Sequence, residues 1–321
     1  MIVFLTTAAC MKPLGSFTGP GFGASLPEIR VESYEAVLRQ TRLPEATYVF
    51  CDLERLSAFE LRIAGSLQRA IAGTGMRTLN NPARVKLRYE LLRELALRGL
   101  NPFSVYRCDD RPRPDRFPVF LRFESGHAMY PELIPDQAAL DTAIETFRQA
   151  GHSATGMLAV ECCPTDQIEG RWFKWGAFAV AEEVMLDHIA VDDNWLVKWG
   201  RWEQLTPGIV ELENVAVREN WHADFVAETF KIAEIEFGRA DFSRSGHKPV
   251  MFEINTNPYV HDLKPDPHLL RRESQTMARE RLAAALFKID TGTRGLVDIP
   301  SDTFIDYCRS TEPGSMIAPR V

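Results

Sequence analysis

The sequence has no excess of positive charge, and this limits the functions open to it. Its 321 residues carry 37 Lys and Arg against 44 Asp and Glu, a formal charge of −7. A nonspecific DNA- or RNA-binding protein normally has a basic excess or at least a basic tract, and this chain has neither. We therefore expect no nucleic-acid partner, whereas a small anionic ligand held by a few local cations is compatible with the composition.

Long apolar runs and grouped metal-binding or disulfide-forming residues are also missing. No run approaches the roughly 20 apolar residues that span a bilayer, and no basic residue precedes the apolar N-terminus as in a secretory signal. The six cysteines are scattered, with Cys162 and Cys163 adjacent, and the seven histidines lack a zinc-site spacing. We expect a cytoplasmic protein with no membrane partner; a homodimer stays open.

What the sequence does contain is ordinary globular composition, with 45% hydrophobic and 25% charged residues. The first eighty residues alternate strand-like runs at 1–7 and 47–51 with helical spacing over 33–42 and 56–72. This alternation predicts a small α/β layer. No glycine-rich dinucleotide-binding loop follows either strand, so a Rossmann fold is excluded.

The next signal is Asn80-Asn81-Pro82, which has the form of a helix start and predicts a helix running to Gly99. Beyond it the pattern predicts strands at 103–107, 117–123, 156–161, 173–180, 183–189, 194–198, 238–242 and 248–254, helices at 136–150, 222–237 and 273–287, and a loop-rich tail.

Three oxygen-bearing side chains fall in a period-two pattern across the last two predicted strands. Glu253 and Asn255 share one strand face, and a turn over 243–247 would bring Asp241 onto the same face. Two carboxylates and an amide oxygen suit Mg²⁺, a hard cation that bridges substrate phosphates. The alternative interpretation is a polar sheet face that ends in a turn.

These residues carry a family resemblance. The run MFEINTNP at 251–258, after Asp241-Phe242, resembles the metal-binding hairpin of the ATP-grasp superfamily, whose members include glutathione synthetase and ribosomal protein modification ligases. The resemblance implies that Asp241, Glu253 and Asn255 hold one or two Mg²⁺ ions that clamp ATP. It also implies that Arg239 stabilises developing acyl-phosphate charge, although Arg239 could instead be a structural partner of the carboxylates.

Weaker parts of the same resemblance lie upstream. Lys86 resembles a phosphate-contacting lysine of the small lobe, and Arg122 stands where a second phosphate-binding lysine is usual. The glycine-rich loop that normally follows is reduced to Ser125-Gly126-His127. Glu161 ends a strand that resembles the adenine-binding hinge, which makes it the candidate for the ribose.

One further basic group is expected from the run RWFKWG at 171–176. Strand alternation presents either Arg171 with Phe173 or Trp172 with Lys174, and the sequence does not choose between Arg171 and Lys174 as the nucleotide contact. Lys198 is a weaker third candidate.

The resemblance implies an α+β fold of ATP-grasp type in which two lobes hold ATP and Mg²⁺. The predicted units are an N-terminal α/β domain at 1–80, a small lobe at 81–160, a large lobe at 161–290 and a tail at 291–321.

The implied reaction is ATP-dependent ligation of a small-molecule or peptide carboxylate to an amine, or less often a thiol, through an acyl phosphate. Two alternatives stay open. One is an ATP-grasp kinase that phosphorylates a small molecule. The other is a nonenzymatic nucleotide-binding module, which the reduced glycine loop slightly favours.

Overall fold

A computed structural model describes residues 1–125, 129–198, 200–263, 266–292 and 295–310 of the chain. Helices and strands are mixed throughout these residues, and the strands form three larger sheets and one two-stranded ribbon. The predicted α+β class is confirmed. No helix in the described ranges is long and apolar enough to cross a membrane.

The first sheet is parallel and lies at the N-terminus. Its elements in chain order are β1 (Ile2–Thr6), β2 (Ile29–Ser33), α1 (Tyr34–Leu38), β3 (Arg42–Pro44), β4 (Thr47–Phe50), α2 (Ala58–Gly73) and β5 (Thr78–Leu79). The sheet order is β2-β1-β4-β5, and β3 is not part of it. All residues of β1 and β4 are buried, as expected for parallel strands covered on both faces.

The second sheet is antiparallel. It follows in the chain with α3 (Arg88–Leu97), β6 (Val105–Arg107), β7 (Val119–Phe123), β8 (Met129–Ile134), α4 (Gln137–Gln149) and β9 (Met157–Glu161). The strand order is β6-β9-β7-β8. Leu140 and Ile144 of α4 pack with Val119 of β7 and Met157 of β9, so α4 covers one face of this sheet.

The third sheet is also antiparallel and carries the residues of greatest interest. Its elements are β10 (Gln167–Ile168), β11 (Arg171–Val180), β12 (Glu183–Asp192), α5 (Pro207–Glu219), α6 (Ala223–Ala233), β13 (Phe237–Ser245) and β14 (Lys248–Asn255). Strand β11 pairs with β12 on one side and with β13 on the other, and β14 follows β13. Phe173 and Trp175 of β11 pack with Ile209 of α5 and Phe230 of α6 on one face. The opposite face carries Lys174, whereas Phe178 and Val180 further along the same strand pack in another hydrophobic cluster.

The last part of the chain returns to the first sheet. It contains α7 (Leu269–Ile289), β15 (Leu296–Asp298) and α8 (Thr303–Ser310). Leu286 of α7 packs with Phe4 of β1 and Phe237 of β13, which joins the first and third sheets. Strand β15 pairs with β3 and helix α8 covers 303–310, so the prediction of a loop-rich tail is wrong for 296–298 and 303–310. Residues 311–321 lie outside the described ranges.

Two further predictions of secondary structure are wrong. Helix α3 begins at Arg88 rather than at Asn80-Asn81-Pro82, because Asn80 serves as a buried tertiary link. Its side chain donates to Phe50 O and Phe237 O and accepts from the backbone N–H groups of Glu236 and Phe237, over 2.7–2.9 Å. The segment 194–198 is a series of bends and not a strand.

The three sheets occupy 2–79, 105–161 and 167–255 in sequence order. Each of the first three predicted units therefore contains one sheet. The boundaries at 80, 160 and 290 stay predictions.

Candidate active site

The hairpin of β13 and β14 brings the three predicted metal ligands onto one face. Asp241 lies directly opposite Glu253, and Arg239 lies directly opposite Asn255. Opposed residues in an antiparallel pair project from the same face of the sheet, and 239 and 241 are two residues apart on one strand. Asp241, Glu253 and Asn255 are 4%, 9% and 7% exposed, so this polar group is buried and not a solvated face.

Four cationic side chains surround the two carboxylates. Lys174 Nζ donates to Asp241 Oδ2 at 2.8 Å, and Arg239 Nε lies 3.5 Å from Asp241 Oδ1. Glu253 Oε2 accepts from Arg122 Nη2 at 2.8 Å and also from Arg88. We call this group the carboxylate cluster; its members are Arg88, Arg122, Lys174, Arg239, Asp241, Glu253 and Asn255.

The cluster is rich in positive charge, with four cations against two carboxylates. Burial lowers the pKa of Arg122; the carboxylate of Glu253 opposes that shift, and the neighbouring guanidinium of Arg88 adds to it. Buried charges are costly unless they are paired. A site with more buried cations than anions is therefore suited to a further anionic ligand.

The carboxylate cluster also fits a divalent cation. Asp241 Oδ1 is buried and makes no hydrogen bond, so it is an acceptor that lacks a donor. Within the described ranges no three His, Cys, Asp or Glu side chains come together to hold a metal ion. A bound ion would therefore rely on Asp241, Glu253 and the amide oxygen of Asn255, whose Nδ2 lies 3.5 Å from Glu253 Oε1. An all-oxygen set of this kind suits Mg²⁺, which retains several waters.

A cavity of about 280 Å³ lies beside the cluster. It is bounded by β11, β12 and β13 on one side and by α7 and the segment 259–263 on the other, and Lys174, Arg239 and Asp241 form the wall that it shares with the cluster. Its other lining residues include Asp187, His188, Tyr259, His261, Arg271 and Arg279. The cavity has room for a small organic molecule next to the carboxylate cluster.

The structure does not bring Lys86 to the cluster. Its ammonium donates to Ile232 O at 2.9 Å and to Glu234 Oε1 at 3.3 Å, at the end of α6. Arg88, two residues later, reaches Glu253 instead. Arg88 cannot be singled out from the sequence, because nothing in the local pattern separates it from the other arginines of α3.

Glu161 is buried and engaged by neighbouring residues of the chain. Oε1 accepts from Tyr106 OH and from the backbone N–H groups of Asp115 and Arg116, over 3.0–3.1 Å. Oε2 accepts from Ser104 N at 3.0 Å and pairs with the Arg116 guanidinium at 3.3 Å. Both carboxylate oxygens are therefore hydrogen-bonded, and they connect β9 to β6 and to the segment 115–116. These contacts give no support for a ribose contact.

The alternation along β11 is resolved in favour of Lys174. Arg171 shares the face of Phe173, which is in the core, and donates to Glu169 O at 3.2 Å. Lys174 projects from the opposite face and reaches Asp241. Lys198 is exposed and contributes its backbone carbonyl to Lys174 Nζ at 3.3 Å. Of Ser125-Gly126-His127, the last two residues lie outside the described ranges.

The similarities between this chain and known proteins are distant. No family model and no curated protein sequence matches the chain. Among solved structures it is similar to D-alanine–D-alanine ligase from Bacillus anthracis complexed with ATP, at 14% identity over 90% of this chain and 97% of that one, with a TM-score of 0.48.

Two further similar structures are a RimK domain ATP-grasp protein and an amino acid ligase. The first, from Sphaerobacter thermophilus, is 16% identical over 90% of this chain and 99% of that one, with a TM-score of 0.46. The L-amino acid ligase from Bacillus licheniformis is 13% identical over 87% and 75%, with a TM-score of 0.44. These similarities concern the fold alone.

Proposed function

We propose that this protein is an ATP-dependent ligase that joins a carboxylic acid to an amine, or less often a thiol, through an acyl phosphate. The main support for the proposal is that Asp241 and Glu253 lie opposite each other on adjacent strands and are buried. Four cationic side chains contact them, and a cavity lies beside them.

The charge of the site favours a polyphosphate. The chain has a formal charge of −7, yet the carboxylate cluster holds four cations and two carboxylates. Local positive charge inside an acidic protein attracts and orients a polyanion. Arg88, Arg122 and Lys174 would bind phosphate oxygens, because each is already directed at an oxygen anion.

Asp241, Glu253 and Asn255 would hold Mg²⁺. When bound, the ion would supply charge neutralisation and alignment of the phosphates. The residues of the chain then exclude water, since all three residues are at most 9% exposed, and they keep the cations at fixed positions. Fixed charges in a water-poor site stabilise developing negative charge more strongly than the same charges in water.

The contacts of Arg239 support a role for it in the ligation. Its Nε faces Asp241 and its Nη1 donates to Tyr259 O at 3.2 Å, so the guanidinium spans the cluster and the cavity. A carboxylate in the cavity would meet the transferred phosphoryl group beside this guanidinium. The planar donor set of arginine suits the oxygens of a phosphate or an acyl phosphate.

The test is release of ADP and phosphate from ATP with pooled carboxylic acids and pooled amines, followed by mass spectrometry of the products. We expect phosphate release only when both pools are present. A phosphorylated product without coupling would indicate a kinase, and nucleotide binding with no turnover would indicate a binding module; either outcome contradicts the proposal.

The matched variant is Glu253→Gln, which keeps the size of the side chain and removes its charge. We expect Mg²⁺-dependent turnover to be lost in a protein that still unfolds cooperatively, with a lower melting temperature because Arg88 and Arg122 lose the carboxylate that pairs them. Glu183→Gln is the control, because Glu183 is an exposed carboxylate at the start of β12 that pairs with Lys288. Wild-type turnover in Glu253→Gln would contradict the role of the hairpin.

A further inference from the structure

Asp187 and His188 are adjacent in sequence, yet both line the cavity. Neighbouring residues on a regular strand point to opposite faces. Here the register between β11 and β12 slips: Gly176 pairs with His188, whereas Ala177 pairs with Leu186. The resulting bulge turns the extra residue, Asp187, toward the same side as His188. His188 Nδ1 and Asp187 Oδ2 are 2.7 Å apart.

Gly176 makes room for the imidazole of His188. A Cβ at position 176 would lie 2.6 Å from Cε1 and 3.2 Å from Nε2 of His188, closer than a side chain tolerates. The ring therefore lies over the backbone of β11. Gly176 is also the register partner of Asp241 on β13, so the imidazole extends toward the carboxylate cluster.

The chemistry of Asp187 fixes the roles of the two imidazole nitrogens. Burial acts to raise the pKa of the Asp187 carboxyl, but the hydrogen bond and charge of His188 and the charges of Arg279 and Arg239 outweigh it and hold the pKa below its usual range. An ionised carboxylate only accepts hydrogen bonds. Nδ1 of His188 is therefore the donor, and in the neutral ring Nε2 is left as the acceptor.

Arg279 lines the same cavity, and one of its donors has no hydrogen-bond partner. Arg279 of α7 is 8% exposed, and its Nη1 has no hydrogen-bond partner. Its Nη2 donates to His261 O at 3.1 Å, and no carboxylate in the described part of the chain lies within salt-bridge distance of it. The charge of Asp187 acts on Arg279, but the Nη1 donor of this buried guanidinium stays free for an anionic group of a ligand.

We propose that the cavity binds the amine substrate, that His188 is its proton acceptor and Asp187 the residue that positions His188, and that Arg279 binds a negatively charged group of the same substrate. This inference rests on the proposed ligase function. The substrate class is therefore an amine that also carries an anionic group.

The proposed step balances in atoms and charge. The ammonium group of the substrate gives one proton to His188 Nε2, and the nitrogen lone pair then attacks the carbonyl carbon of the acyl phosphate. A C–N bond forms, and the bond between that carbon and the bridging phosphate oxygen breaks. The second proton leaves with the departing phosphate, so an acyl phosphate and an ammonium yield an amide, hydrogen phosphate and a protonated His188.

The test separates activation of the acid from transfer to the amine. The enzyme is incubated with ATP, Mg²⁺ and pooled carboxylic acids, with either hydroxylamine or an amine pool. Hydroxylamine is largely uncharged at neutral pH and needs no proton acceptor, so hydroxamate reports acyl-phosphate formation alone. The amine pool contains free amino acids and the corresponding amino acid amides, so its products report both transfer and the need for an anionic group.

For His188→Gln we expect the ratio of amide to hydroxamate to fall by about 10²-fold or more, the usual range for loss of a proton-transfer group. Asp187→Asn should lower the same ratio, because the imidazole loses its orientation. Gly176→Ala should do so as well, because the added methyl group displaces the ring. Damage to the fold would lower both products together, so the ratio distinguishes a positioning role from a structural one.

The control is His152→Gln, since His152 is exposed and stacks on Phe147 away from the cavity. An unchanged ratio in His188→Gln would overturn the proposal while leaving the ligase function intact. Equal use of amino acid amides by the wild type would overturn the role of Arg279. If the wild type forms neither product, the proposed function fails and this inference fails with it.

Discussion

Arg239 lies between the carboxylate cluster and the cavity. Its exchange for lysine distinguishes a catalytic role of this residue from a structural one. We expect Arg239→Lys to lower kcat markedly with near-normal ATP affinity, because a lysine keeps the charge but loses the planar donor set. Turnover, nucleotide affinity and melting temperature should be measured on one preparation. Arg244→Lys on the same strand is the control, since Arg244 pairs with Asp166 and packs over Phe173.

The catalytic role of Arg239 would be wrong in either of two cases. One is retention of kcat in Arg239→Lys, as expected for a structural ion pair that tolerates either cation. The other is a joint fall of kcat, ATP affinity and melting temperature, which would indicate damage to the hairpin.

We expect the stability of the folded protein to depend on pH through the carboxyl group of Glu54. Burial, and then the charge of Asp52, raise the pKa of Glu54 above 4.5, although the hydroxyl of Thr256 and the charge of Arg55 oppose the shift. A raised carboxyl pKa means that the folded state holds the proton more tightly than the unfolded state. The associated stabilisation is complete below about pH 4.5 and is lost as the pH rises through the folded-state pKa.

The variant Glu54→Gln removes this titration. We expect its free energy of unfolding, relative to that of the wild type, to increase as the pH rises from about 4.5 toward neutrality. Urea unfolding at several pH values measures the difference. Glu28→Gln, at an exposed carboxylate beside Arg30, should show no such trend, and a flat difference for Glu54→Gln would contradict the assignment.

Residue-level predictions succeeded where strand periodicity decides the face of a side chain. Asp241, Glu253 and Asn255 were placed together by alternation and a short turn, which are local properties of the chain. Lys86 was a different case, because the partner of a long cationic side chain depends on which element packs against it. Glu234 lies beside Lys86 only in the folded chain.

At the scale of elements, local patterns predicted most strands and amphipathic helices but failed where tertiary contacts override them. Helix α5 was missed, although Thr206 caps it and Pro207 occupies its first position, as in many helix starts. The reverse error occurs at Asn80-Asn81-Pro82, where the same signals precede a turn at 82–84. Asn80 adopts a left-handed backbone conformation there, with φ 61°, and is enclosed by other elements.

Asn80 holds two sheets together, and this gives a prediction for element packing. Asn80→Ala removes four hydrogen bonds between β4, β13 and the segment before α3 and leaves buried backbone groups without partners. We expect the free energy of unfolding to fall by roughly 3 kcal/mol. Asn81→Ala loses one exposed contact with Ala83 N and should cost less than about 1 kcal/mol.

Urea unfolding of both asparagine variants measures this difference. Equal stabilities for the two would mean that Asn80 does not link the sheets. The loss for Asn80→Ala should appear as a lower midpoint with an unchanged denaturant slope, because the buried area of the folded state is not altered.

In the whole molecule, the C-terminal segment packs against the N-terminal part of the chain, and these contacts could not be predicted from the sequence. Helix α7 packs between the first and third sheets, β15 pairs with β3, and Ile305 of α8 enters the N-terminal core. The contacts of these elements with the N-terminal sheet, β3 and the N-terminal core join residues that are more than 200 positions apart. Periodicity within a short window carries no information on such pairings, so only the local character of α7 was predictable.

We propose that Mg²⁺ and ATP bind together through Asp241 and Glu253. The most direct measurement is calorimetric titration of ATP into the wild type and into Asp241→Asn/Glu253→Gln, each with Mg²⁺ and with a chelator. We expect Mg²⁺ to strengthen binding to the wild type by about tenfold or more, which is about 1.4 kcal/mol for each factor of ten. The double variant should bind ATP equally with and without Mg²⁺, because its cations remain and its carboxylates are gone. The same Mg²⁺-dependent gain in both proteins would contradict the account.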